Sequence, residues 1–343
     1  MWAGGGNVNP FLCLAEELAA RGHRVGAVGG PGLRERLETV GVDLVVESEG
    51  WLPGPADLLA AADSFGPDAL VVDYMLTGAL CGAERTGVPT AALVHTLYRA
   101  LLVDNAPHPM GMAATVEALS GVRSGLGLGP ISGYADLLAA RELVMVTAPR
   151  ELDEPGDLPA NVAYVGGLFQ GPGPDGDWRP PPGPDPLVAV SLGTAGDAAI
   201  ESQLLDRLFE AFSGHALRVV VTLPDYIGAA SHRPPSNVVL SGYVRHSALI
   251  PHAAVLVTHA GLGSVVAALA YGVPMVCLPL GREQPENAAA VTRIGAGCTV
   301  APDAGADEIR AAVKDQLARS DRVLIEPDPA GAADRVETIL GSL

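Results

Sequence analysis

The chain has 343 residues, 48% of them apolar, which is enough for two domains with substantial cores. Its net charge of −18 excludes a polyanionic partner such as DNA or RNA. Cys13, Cys81, Cys277 and Cys298 lack metal-ligand spacing, and no apolar run reaches membrane-spanning length. The expectation is therefore a cytoplasmic protein with reduced core thiols that neither enters a membrane nor carries a secretion leader.

In chain order, the glycine run Gly4-Gly-Gly6 is followed by Asn7-Val-Asn-Pro10 and a helical pattern from Pro10 to Arg21, closed by Gly22. Only three residues precede the glycines. A doubly wound domain needs about five strand residues there, at the middle of its sheet, so an upstream start or a trimmed beginning is expected. Apolar strand-like runs follow at Arg24–Val28, Asp43–Glu47, Ala69–Asp73, Thr90–His95, Leu143–Ala148 and Val162–Val165, with a helix from Leu76 to Thr86 between two of them. Residues 171–186 hold too much Pro and Gly for helix or strand and read as a linker. Within them, Asp175-Gly-Asp177 has a DxD pattern, but Asp-Gly among prolines is ordinary turn chemistry, and no metal site is expected. The same rhythm resumes at Leu187–Leu192, Arg218–Leu223, Val238–Tyr243, Val255–Thr258, Met275–Leu280 and Cys298–Ala301, and a last helix spans Ala330 to Leu340. This alternation predicts parallel α/β sheets in two domains, 1–170 and 187–329, followed by the terminal helical segment 330–343.

The stretch with the most chemistry is His259-Ala-Gly-Leu-Gly-Ser264, at the end of the Val255–Thr258 strand. A glycine-lined turn into a helix presents unpaired N–H groups and a positive dipole end, which suits a phosphate or pyrophosphate. His259 and Ser264 add side-chain donors. The glycines alone fit a ligand-free strand-to-helix turn about equally well. Gly272-Val-Pro274 and Glu283-Gln284 shift that balance, since a carboxylate beside an amide at the next strand end can accept from and donate to vicinal sugar hydroxyls. In this order, residues 259–287 resemble the donor-binding signature of the UDP-glycosyltransferase-like family, the inverting, metal-independent class that includes antibiotic and macrolide glycosyltransferases.

The resemblance implies two facing Rossmann-like domains of the glycosyltransferase B type, with a cleft between them and the last helix, 330–343, crossing back to the first. It implies that His259, Gly261, Gly263 and Ser264 hold the diphosphate and that Glu283 and Gln284 read the sugar. Gly193 and Thr194 would face the departing phosphate, although a turn glycine and a helix cap explain them equally well. Tyr243 stands where the family often stacks a Trp on the base, with the Val244 backbone beside it; a core Tyr is the alternative.

The acceptor side departs from the pattern. The family's general-base His falls on Asn7, which takes no proton at physiological pH, while Asp73 matches the supporting acid. Three assignments stay open: Asp73 as base, His95 moved into the role, or an acceptor acidic enough to need only positioning. The resemblance thus implies an inverting transfer of a sugar, a deoxysugar by expectation, from a UDP- or dTDP-sugar to a small hydrophobic natural product, with no cofactor, by a monomer or homodimer. The missing base also allows a non-catalytic sugar-nucleotide-binding subunit of the same fold. A nicotinamide-dependent dehydrogenase or epimerase ranks last, because Gly4-Gly-Gly6 lacks both the GxGxxG spacing and its strand.

Overall fold

The computed structural model of the chain describes residues 7–30, 32–50, 52–101, 116–154, 156–169, 178–193, 198–224, 227–229 and 232–341. The chain divides into two compact units, Met1–Phe169 with Pro327–Leu343, and Gln170–Glu326. The second unit thus ends three residues earlier than the composition suggested.

The first unit runs α1 (Val8–Ala20), β1 (Gly26–Gly29), α2 (Arg34–Glu38), β2 (Asp43–Glu47), α3 (Pro55–Phe65), β3 (Leu70–Asp73), α4 (Thr77–Thr86), β4 (Thr90–Val94), α5 (Tyr98–Leu101), α6 (Val116–Gly125), α7 (Tyr134–Ala139), β5 (Leu143–Val146), α8 (Arg150–Asp153) and β6 (Val162–Tyr164). The second runs β7 (Leu187–Ser191), α9 (Ala198–Phe212), β8 (Arg218–Thr222), β9 (Val238–Ser241), α10 (His246–Leu249), β10 (Val255–Thr258), α11 (Leu262–Ala270), β11 (Met275–Cys277), α12 (Gln284–Arg293), β12 (Gly297–Thr299) and α13 (Ala306–Ala318). A last helix, α14 (Pro329–Leu340), belongs to the first unit.

The second unit is built on one six-stranded sheet in the order β12-β11-β10-β7-β8-β9, parallel throughout. Its central strands read as unbroken apolar runs because helices cover both faces; every residue of β7 and β10 is buried. One face packs Val188, Val190, Val255 and Val257 against Leu204, Leu208 and Phe212 of α9 and Ile309 and Val313 of α13. Ser191 pairs with Thr258 in register, so the chain leaves β7 and β10 side by side. From β7 it moves on to β8 on one side, while β10 and β11 lie on the other. This reversal is the switch point at which parallel α/β sheets bind ligands.

The first unit has two sheets among the described residues, parallel β1-β2 and parallel β3-β4-β5-β6. Helix α1 joins them. Phe11, Leu14 and Leu18 pack on β4 and β5, whereas Val8, Leu12 and Ala15 pack with Ala27, Leu33, Leu37 and Val42 around the smaller sheet. Helix α14 adds Ala332, Ala333, Val336 and Ile339 to the larger cluster. Its outer edge is tied to the end of α1: Arg21 reaches Asp334 at 2.6 Å and Glu337 at 2.9 Å, and His23 Nε2 lies 2.9 Å from Glu337.

The expected linker is only partly within the described residues, which resume at 178. There the Pro-rich segment lies along the second unit, because the Arg218 guanidinium donates to the carbonyls of Pro181 and Asp185. All four cysteines are free thiols. Among the described residues no helix is long and apolar enough to cross a membrane.

The apolar face of α14 gives a direct test. Val336→Asp would bury an unpaired carboxylate in the larger cluster of the first unit. Loss of about 3 kcal/mol or more is expected, seen in calorimetry as a lowered transition for the first unit while that of the second stays put.

Candidate active site

At the switch point of the second unit, the His259 ring sits directly on two glycines. A Cβ built on Gly193 would lie 2.7 Å from His259 Cε1, and one on Gly261 only 2.5 Å from Nε2. Both positions must therefore lack a side chain so that the imidazole can enter, and Gly193 also has φ +92°. The ring's Nδ1 lies 3.4 Å from the Ser191 carbonyl. The sequence suggested that the glycines make the turn, but Gly261 has an ordinary φ of −60° as the residue before α11. The left-handed residue is Ala260, at φ +65°, a conformation that costs a residue with a Cβ about 1 to 2 kcal/mol. Helix α11 starts at Leu262, so the N–H groups of Leu262 and Gly263 have no acceptor inside the helix. Nothing lies within 4 Å of a Cβ built on Gly263.

Ser264 is on the first turn of α11, but its side chain is buried. Its Oγ lies 3.5 Å from His246 Nε2, and Ser191 Oγ lies 3.2 Å from the same nitrogen. His246 thus bridges the end of β7 and the first turn of α11, a role the sequence did not disclose. Burial pushes its pKa down to about 4, aided by neighbouring His259. His259 is also lowered to about 4: burial dominates, the Ser191 carbonyl opposes it, and the Arg282 charge adds to it. Both imidazoles are therefore neutral near pH 7, and the local positive charge comes from the helix end and the exposed, cationic Arg282.

The loop after β11 lies beside this turn. Gln284 is buried, and its Oε1 accepts from Leu280 N at 2.7 Å and Gly281 N at 3.1 Å. Its carbonyl is committed to holding the loop, leaving the amide hydrogens to donate to a ligand. Glu283 precedes α12 and is half-buried. One turn into α12, the Asn287 amide donates to the Ala260 carbonyl at 2.9 Å. Tyr243, beyond β9, is 63% exposed and so is not a core residue, while Val244 beside it is buried. Thr194 lies outside the described residues, as do Asp175 and Asp177. Among the described residues no group of three or more His, Cys, Asp or Glu is placed to hold a metal ion.

In the first unit, Asp73 ends β3 and pairs in register with Leu93, two residues before His95, so both side chains stand at the carboxyl edge of the sheet. His95 Nε2 lies 3.1 Å from Asp73 Oδ1, which also accepts from Met75 N at 2.9 Å. Asp73 is 0% exposed, and burial opposes its charge, but the His95 charge and hydrogen bond and the Met75 N–H hold its pKa below the usual value. Asn7 occupies the cap position of α1 yet makes no cap bond. Its amide instead approaches Asp73 Oδ2 at a long 3.5 Å. The Tyr74 ring meets His95 edge-on at 4.8 Å, and the Tyr134 hydroxyl donates to the Tyr74 carbonyl at 2.7 Å. The sequence reading named Asn7, Asp73 and His95 but missed Tyr134, since 60 positions separate it from its partner.

These features define a class: two parallel α/β units, one with a helix N-terminus at its switch point, the other with a carboxylate–imidazole pair at its sheet edge. Residues 206–327 match the family model described as erythromycin biosynthesis protein CIII-like, C-terminal domain. The chain is 28% identical to 4'-demethylrebeccamycin synthase of Lentzea aerocolonigenes, over 86% of this chain and 85% of that protein. It is 27% identical to demethyllactenocin mycarosyltransferase of Streptomyces fradiae, over 84% and 71% respectively. The structure of the calicheamicin glycosyltransferase CalG4 superposes with a TM-score of 0.76 at 27% identity, covering 98% of this chain and 96% of that one. The chain is therefore an enzyme of the glycosyltransferases with the GT-B fold, similar to those of antibiotic biosynthesis.

Glycine substitutions separate structural from ligand roles in this site. Gly261→Ala must displace the His259 ring and is expected to lower both stability and donor affinity, whereas Gly263→Ala has open space and should leave stability within about 0.5 kcal/mol. If the backbone at Gly263 meets a phosphate, donor affinity measured by calorimetry falls in that second variant although its melting temperature does not.

The two histidines predict an acid limb of stability. Unfolded, each takes up a proton near the ordinary histidine value of 6.5; folded, only at about 4. Between these values the unfolded chain binds more protons, so their contribution is complete above pH 6.5 and lost as the pH falls toward 4. Because both rings are only partly buried, on the order of 1 kcal/mol each is expected. Replacing His246 by Asn should flatten this limb in urea titrations across that range.

Proposed function

We propose that this glycosyltransferase moves a deoxysugar from a thymidine or uridine diphosphate donor to a small hydrophobic natural-product acceptor, inverting the anomeric carbon. The observation that carries the reading is the end of α11 framed by His259 at the switch point, where donor N–H groups meet the positive pole of a helix. It suits a diphosphate leaving group, and in this reading the free N–H groups and positive pole at the start of α11 stabilise the departing charge without a metal, while the His259 ring packs the turn that presents them. The exposed Tyr243 ring offers a face for the base. Glu283 and the amide hydrogens of Gln284 offer an acceptor and donors to the hydroxyls of a sugar, and the relative named as a mycarosyltransferase supports a deoxysugar. The relatives named for rebeccamycin, demethyllactenocin and calicheamicin support an acceptor of the same chemical class.

For the proton, the reading takes His95 as the base. With Nε2–H donated to Asp73, the basic nitrogen of the ring is Nδ1. Asp73 then orients the imidazole and stabilises the imidazolium, the division of labour of a carboxylate–histidine pair. The acceptor hydroxyl gives its proton to His95 as its oxygen bonds to the anomeric carbon. The bond from that carbon to the diphosphate oxygen breaks, and the diphosphate leaves with the electron pair. Asn7 keeps a hydrogen bond to Asp73 but takes no proton. The His95 side chain is 11% exposed, enough for an acceptor to reach it.

The test pairs two variants. His95→Gln is expected to lower kcat by about 10²–10⁴-fold with the donor KM unchanged and to remove the acid limb of the rate profile. His259→Ala is expected to weaken donor binding. Unaltered turnover in the first would remove the base from His95, and unaltered donor affinity in the second would remove the donor site from α11.

A further inference from the structure

We infer that Asn287 is a positioning residue that holds the phosphate-facing turn in its strained shape and ties it to the sugar-facing loop; this rests on the donor-site reading above. Asn287 is 0% exposed, and its Nδ2 donates to the Ala260 carbonyl at 2.9 Å. Ala260 is the fully buried residue whose φ of +65° turns the chain between β10 and α11. A residue with a Cβ keeps that conformation only when its surroundings enforce it. Two bonds do so: the Ala260 N–H is held by Thr258 Oγ1 at 3.3 Å, and its carbonyl by Asn287. Relaxation of Ala260 toward negative φ would rotate the peptide entering Gly261 and re-aim the first turn of α11.

The same side chain stands on the helix that starts the sugar loop. Asn287 lies four and three residues after Glu283 and Gln284, on one face of α12, and its own N–H bonds the Glu283 carbonyl at 3.1 Å. One amide therefore fixes the distance between the group that would read the sugar and the helix end that would hold its diphosphate. Its Oδ1 is buried with no partner among the described residues. A leucine would fill the same space with no unsatisfied atom, so packing gives no reason for an amide here. What the amide supplies is the donor to Ala260. It is not a catalytic group, since its donor is spent on the backbone.

The experiment uses the full chain and calorimetric titration with UDP and dTDP, and with uridine and thymidine, which lack the phosphates. Asn287→Leu is expected to weaken the diphosphates at least tenfold while changing nucleoside affinity less than twofold. Ala260→Gly removes the need for enforcement, because glycine takes φ +65° unaided. On that background the Asn287→Leu loss should shrink below threefold, and Ala260→Gly should raise the melting temperature of the leucine variant more than that of the unaltered chain. Asn287→Ala, which is smaller and has no donor, provides the same readouts should the leucine variant fail to fold. Equal loss for nucleosides and diphosphates, or an undiminished loss on the Ala260→Gly background, overturns the inference while leaving the donor site standing. If the unaltered chain takes up neither UDP nor dTDP, the donor-site reading itself fails, and this inference with it.

Discussion

The second unit depends on a steric constraint: an imidazole must fit where two backbones would otherwise carry side chains. His259 fills the space in front of Gly193 and Gly261, which lie at the ends of two adjacent parallel strands. Because the ring occupies that space, the chain turns one residue earlier, at Ala260, and α11 begins with its first N–H groups directed off the sheet edge. His246 collects the hydroxyls of Ser191 and Ser264. Opposite, the loop before α12 is closed by Gln284. The site is thus a set of mutually braced turns on a rigid parallel sheet, which is how a helix end becomes preorganised for charge.

The electrostatics of that site are local. A chain with a net charge of −18 cannot attract an anion by its overall field. Burial keeps both histidines neutral, so they contribute dipoles and hydrogen bonds rather than charge. The peptide dipoles of α11 and the Arg282 side chain supply the positive pole at short range, where screening is weakest. The first unit uses the opposite arrangement. There a buried carboxylate is kept ionised by the imidazole beside it, and the pair is carried on neighbouring strands whose register sets their separation.

Helix α1 has a structural role beyond its sequence. It lays one face on the four-stranded sheet and the other on the β1-β2 pair, so the core of the first unit is continuous although its strands form two sheets among the described residues. It also begins at Asn7, whose side chain forgoes the cap it is suited to make and turns to Asp73. Helix α14, coming from the far end of the chain, seals the same cluster. The placement of Asn7 beside Asp73 and the joining of the two sheets therefore both depend on α1.

By itself the sequence determined the parallel α/β character, the strands to within a few residues, and the glycine-rich turn before α11. Each follows from local rules: unbroken β-branched runs for strands buried on both faces, 3.6-residue periodicity for helices, and glycine at tight approaches. It also singled out Asp73, His95 and Asn7, but left three ways to use them. Only the tertiary structure decided that Asp73 and His95 meet, since that contact is set by the pairing of β3 with β4. Likewise, no local pattern marks Ala260 as left-handed, His246 as a bridge between two serines, or Asn287 as the partner of a carbonyl 27 positions away. Local propensity records what a residue prefers. Which preference is overridden depends on neighbours that only folding brings within hydrogen-bond distance.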